Sequence, residues 1–98
     1  MKGIRFNSLA ERELAEAIQR YNEESPGLGE GLRDEVEHAL VFLQRYPEAA
    51  PRILGSIRRL VLQRFPYNLL YRPLKDGGLR ILAVAHQKRH PWYWTGRR

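Results

Sequence analysis

The sequence predicts an α+β fold of order β-α-α-β-β-β, a helix hairpin packed on one face of an antiparallel sheet. Three observations carry this. Two segments of the first half, 10–21 and 32–43, repeat apolar residues at the three- and four-residue spacing of a helix face. Three segments of the second half, 57–64, 67–72 and 79–86, are short, rich in branched and aromatic residues, and bounded by turn signals. Nothing between these elements is long or low in complexity, so the 98 residues read as one domain with a single modest core, 1–98.

In chain order, Ile4-Arg5-Phe6 has the length of one short strand. Ser8 is the expected N-cap of the first helix, with acidic Glu11 in its first turn. Ala10, Leu14, Ala17, Ile18 and Tyr21 share one face, and Pro26 ends the helix because the residue before a proline avoids helical backbone. A second helix is expected over 28–46, with Leu32, Val36, Ala39, Leu40 and Leu43 facing the core. Tyr46-Pro47 closes it, and 47–56 reads as a loop into the sheet. A helix hairpin returns the chain to its starting end, so the strand at Ile57 is expected to run opposite to the first. Phe65-Pro66 and Asp76-Gly77-Gly78 then mark the two turns of a meander. Both faces of these strands carry apolar residues: Leu60 and Leu62 oppose Val61, and Leu82 and Val84 oppose Ile81 and Ala83. One face belongs under the helices; the other needs a cover, which the tail 87–98, a second copy or another protein would supply.

The charge is unevenly distributed. The net charge is +6 with a pI near 10.2. Residues 1–51 hold 6 Lys+Arg against 10 Asp+Glu, and residues 52–98 hold 11 against one, Asp76. The halves thus stand at −4 and +10, which points to an anionic partner for the second half. Arg58, Arg59, Arg64, Arg72, Arg80, Lys88 and Arg89 are the candidate target-binding residues. Cysteine is absent, which excludes disulfides and thiolate metal sites. No segment has the apolar run of a signal peptide or the ~20 apolar residues of a membrane span. The expectation is a cytoplasmic protein with no membrane partner.

Several stretches together resemble the RelE/ParE superfamily of toxins from type II toxin–antitoxin systems. They are Arg20-Tyr21-Asn22-Glu23-Glu24-Ser25-Pro26-Gly27-Leu28-Gly29, Phe42-Leu43-Gln44-Arg45-Tyr46-Pro47-Glu48, Ile57-Arg58-Arg59-Leu60, Phe65-Pro66-Tyr67-Asn68-Leu69-Leu70-Tyr71-Arg72 and Arg80-Ile81-Leu82-Ala83-Val84-Ala85-His86. The resemblance covers nearly the whole chain, and it rests on the order and spacing of these stretches. It implies a growth-arresting activity held in check by a cognate antitoxin. One branch of the superfamily cleaves messenger RNA in the ribosomal A site; the other poisons DNA gyrase without hydrolysis. The run Ala83-Val84-Ala85-His86-Gln87-Lys88-Arg89 looks closer to the ParE-like, gyrase side. A relic that binds its antitoxin but harms nothing is a third reading. No cofactor is implied.

Were the chain a ribonuclease, it would need a base, a cation to hold the phosphate and an acid. His86 is the candidate base, Arg59, Arg64, Arg72 and Arg80 the phosphate clamp, and Tyr93 or Lys88 the acid. The competing reading of His86 is a hydrogen-bonded structural residue at a strand end. His86 and His90 are four apart, but Pro91 and the preceding strand argue against a helix, so no metal site is expected. Trp92, Tyr93 and Trp94 beside Lys88, Arg89, Arg97 and Arg98 suit base stacking, or else fold back over the second sheet face. On that face Leu62 or Val84, whichever points away from the helices, is the expected antitoxin anchor.

Overall fold

The computed structural model describes residues 3–98; Met1 and Lys2, part of the stretch read for a leader, lie outside the described residues. The elements are β1 (Ile4–Phe6), α1 (Ser8–Glu24), α2 (Leu28–Arg45), β2 (Arg52–Leu54), β3 (Ile57–Val61), β4 (Tyr67–Pro73) and β5 (Leu79–His86). The five strands form one sheet in the order β1-β5-β4-β3-β2. The expected helix hairpin on a sheet is present, with one strand more than the sequence suggested.

That extra strand changes a direction. Arg52-Ile53-Leu54, expected as loop, pairs antiparallel with β3. β3 is antiparallel to β4, β4 to β5, and β5 is parallel to β1. β3 therefore runs the same way as β1, contrary to expectation, because β2 makes the first return. The sheet is mixed rather than wholly antiparallel. β3 also ends at Val61 rather than at residue 64, and β4 extends through Pro73.

The helices obey their sequence pattern. On α1, Ala10, Ala17 and Ile18 are buried with Leu14 and Tyr21 packed beside them; on α2, Leu32, Val36, Leu40 and Leu43 are buried with Ala39 against them. The cap of α1 is Asn7, not Ser8: the Asn7 side chain accepts from the Leu9 amide at 2.8 Å, which leaves Ser8 as the first helical residue. α2 starts after Gly27, at φ 91°, and borrows its cap from the other helix. Asn22 Oδ1 accepts from the amides of Gly27 at 3.1 Å and Gly29 at 2.8 Å. The helices touch at Gly29, where an added Cβ would stand 2.2 Å from the Ile18 carbonyl oxygen. Tyr46, expected inside α2, is its C-cap.

A bulge in β5 decides which side chains face which layer. Leu70 pairs with Ala83 but Tyr71 pairs with Ile81, so Leu82 is an extra residue. Before it, Leu79 and Ile81 join the core under the helices; after it, Val84 does. Leu82, Ala83 and Ala85 go to the other side, with Leu70 and the nearly buried Trp94. The second face is covered by the chain's own tail. Leu62 and Val84, the expected anchors on an open face, both lie in the helix-side core, 5% and 2% exposed. Neither is presented to a partner, because the bulge turns Val84 inward and Leu62 closes the end of β3 under α2.

Candidate functional site

β1 accompanies β5 only as far as Ile81, so residues 82–86 have no strand beside them on that side. α1 lies along this free edge. Glu13, Glu16, Arg20 and Glu24, spaced by three or four residues, line a groove of about 570 Å³ with Tyr21, Tyr67, Val84, His86, Lys88 and Arg89. The Arg20 guanidinium donates to the Tyr67 hydroxyl at 2.7 Å. The His86 ring meets the edge of the Tyr67 ring at 5.0 Å. The Lys88 amide donates to His86 Nδ1 at 3.1 Å, so in the neutral ring the proton sits on Nε2. His86 is thus both oriented and accessible.

One carboxylate organises the floor of this groove. Glu13 accepts from the Val84 amide at 3.0 Å, satisfying a donor that a sixth strand would otherwise take. Its two oxygens take Arg97 at 2.9 and 3.0 Å in a fork-to-fork pair, and Tyr93 donates its hydroxyl at 2.7 Å. Arg97 also donates to the Leu82 carbonyl at 3.2 Å, so the bulge is held from both sides. Arg89 approaches Glu13 at 3.7 Å and lies over the Tyr93 ring at 4.0 Å. Burial, then the hydrogen bond and charge of Glu13, push the Tyr93 hydroxyl well above its ordinary pKa of 10.0. It holds its proton against a carboxylate, which makes it a poor general acid.

On the other side of β5 the tail encloses a second groove of about 360 Å³, lined by Ile53, Arg59, Asn68, His86 and residues 87–94. Trp94 is 4% exposed and Trp92 is 51% exposed, the two rings 5.6 Å apart. The tail is therefore ordered, with one tryptophan spent on the sheet and the other left outside. Trp92 holds φ at 69°, a left-handed backbone that a bulky residue rarely adopts.

His86, Lys88 and Arg89 lie together at one end of the sheet, and Arg59, opposite Leu70 in mid-sheet, lines the tail-side groove with them. Arg72 and Arg80 pair with each other at the opposite end, six residues along β5 and roughly 17–20 Å from His86. Arg58 is occupied: it donates to the carbonyls of Glu48 at 3.2 Å and Ala50 at 2.7 Å. Arg64 lies over the Phe65 ring at 5.6 Å, in a turn whose amides are held by Glu35. The expected phosphate clamp of Arg59, Arg64, Arg72 and Arg80 does not converge. Among the described residues no group of three or more His, Cys, Asp or Glu is placed to hold a metal ion. The sequence reading missed Glu13 and the Arg20–Tyr67 contact. Glu13 follows Ala10 by three and precedes Ala17 by four, so a charge on the apolar stripe was the available signal.

The comparisons with known proteins agree with this architecture. The family model for the ParE toxin of type II toxin–antitoxin systems, parDE, matches residues 4–91, and the chain belongs to that family. Among solved structures, the chain is similar to one from the chromosomal ParDE TA system of P. aeruginosa, with TM-score 0.72 and 20% identity over 88% of this chain and 96% of that one. It is also similar to the isolated E. coli RelE toxin, with TM-score 0.67 and 20% identity over 95% and 92%. No curated protein matches the sequence.

Proposed function

We propose that this chain is the growth-arresting toxin of a type II toxin–antitoxin pair, that a cognate antitoxin neutralises it, and that it acts by binding DNA gyrase rather than by cleaving RNA. The dispersal of the ribonuclease candidates supports the non-hydrolytic part of this reading. A base at His86, cations at Arg72 and Arg80, and an acid at Tyr93 cannot serve one phosphate across roughly 17–20 Å. Tyr93, moreover, is committed to Glu13. The surface left for a protein target is the end of the sheet where His86, Lys88 and Arg89 meet α1. Growth arrest on expression, rescued by the coexpressed antitoxin, is the first expected result. Purified toxin should then inhibit gyrase supercoiling and leave ribosome-bound messenger RNA intact. Ribosome-dependent cleavage without gyrase inhibition would overturn the assignment.

One observation favours a second reading. His86 shares a single groove with Lys88 and Arg89, so that an Nε2–H proton donor and a phosphate clamp stand together without Arg72 or Arg80. On that reading His86→Ala lowers messenger RNA cleavage about 100-fold or more. Unimpaired growth at high, verified soluble expression would instead leave an antitoxin-binding relic.

A further inference from the structure

Arginines stand side by side on three adjacent strands. Arg5 of β1 pairs with Arg80 of β5, and Arg80 with Arg72 of β4. Their neighbours Ile4, Phe6, Leu79, Ile81 and Tyr71 all join the helix-side core, so alternation directs the three arginines to the tail side. At a strand spacing of about 4.8 Å the row is about 10 Å wide.

Like charges directly opposite one another weaken a sheet. Here little inside the molecule offsets them. Arg80 donates to the main-chain oxygen of Arg98 at 2.9 Å, and among the described residues Arg5 and Arg72 have no acidic partner. Asp76, in the turn joining β4 to β5, is turned back on the Gly78 amide at 2.8 Å, and Lys75 beside it adds another positive charge.

We propose that Arg5, Arg80 and Arg72 form a binding site for the phosphodiester backbone of nucleic acid, separate from the groove at His86. Guanidinium forks take phosphate oxygens in pairs. A row about 10 Å wide is long enough to reach successive phosphates of one strand, which rise ~3.4 Å each along the axis. An acidic peptide offers carboxylates as well. Nucleic acid is favoured because the tail side of the sheet also carries Arg59 and the half-exposed Trp92, a combination suited to phosphates and bases together. The site is independent of the gyrase reading, and its failure would leave that reading standing.

The test is fluorescence anisotropy over a salt series, with labelled duplex DNA, single-stranded DNA, RNA and polyglutamate as separate probes. Arg5→Gln with Arg72→Gln should weaken nucleic-acid binding roughly 10- to 100-fold at low salt. It should also flatten the plot of log affinity against log salt by about 1.8 for duplex or about 1.4 for a single strand, which tells the sources apart. Arg5→Lys with Arg72→Lys should keep the slope. Because repulsion is relieved, the glutamine pair should melt no lower than the parent chain. Arg12→Gln with Arg33→Gln on the helices is the control. Equal loss in the control, polyglutamate bound as well as nucleic acid, or a lowered melting temperature in the glutamine pair would each overturn the site.

Discussion

At the scale of single residues, Glu13 ties together parts of the chain distant in sequence. It satisfies the Val84 amide, pairs with Arg97 and accepts from Tyr93, with only 14% of its side chain exposed. Glu13→Gln keeps the shape but removes the charge, leaving the largely buried Arg97 guanidinium without its counter-ion. We expect a loss of about 2–3 kcal/mol in urea unfolding, and a coupling with Arg97→Gln in a double-mutant cycle. Tyr93 makes a pH-dependent contribution. Its pKa is raised in the folded chain, first by burial and then by Glu13. As pH passes about 10 the unfolded chain loses the phenolic proton while the folded chain keeps it. Stability is therefore full below that pH and falls above it. Tyr93→Phe should flatten the alkaline decline, read as urea midpoints from about pH 8 to pH 11. Tyr21 and Tyr71, raised chiefly by burial, would leave a residual slope.

At the scale of elements, the helix hairpin depends on a close approach. Gly29→Ala should improve helix propensity by about 1 kcal/mol, yet its Cβ would meet the Ile18 carbonyl at 2.2 Å and the Asn22 side chain at 2.8 Å. Overpacking and the disturbed Asn22 cap should win, for a net loss of about 1–2 kcal/mol in thermal unfolding. Both helices were legible in the sequence, since ten apolar residues at helical spacing sufficed to place each face. The strands 4–6 and 79–86 were legible to the residue. β2 was not, because three residues after Pro51 show no alternation, and missing it reversed the inferred direction of β3. The bulge was also hidden: one extra apolar residue in an apolar strand looks like two apolar faces. As for the candidate site, His86, Lys88, Arg89 and Arg59 were among the residues singled out in the sequence, and they line the two grooves beside β5. Arg72 and Arg80 were grouped with them because position along a strand gives no hint of which end carries the groove.

At the scale of the whole molecule, two apolar layers flank one sheet, and the second is supplied by only a dozen residues. Tyr93 and Trp94 cover Leu70, Leu82, Ala83 and Ala85, with Ile53 and Ile57 alongside. The family match stops at residue 91, before both. A chain cut after Pro91 keeps the matched span but bares that face and strips Glu13 of Arg97. We expect it to bind an apolar dye and to self-associate in sedimentation, whereas the full chain does neither. Trp94→Ala should cost about 3–5 kcal/mol on its own.

The extra residue in β5 has a consequence for comparing this chain with its relatives. It resets the phase of the strand, so that odd positions point under the helices up to Ile81 and even positions do so from Val84 onward. A relative without the insertion, aligned letter against letter, would be compared inside to outside for the whole run that ends in His86. The same histidine would then face the tail in one protein and α1 in the other. Identity in that column carries meaning only when positions are counted from the bulge.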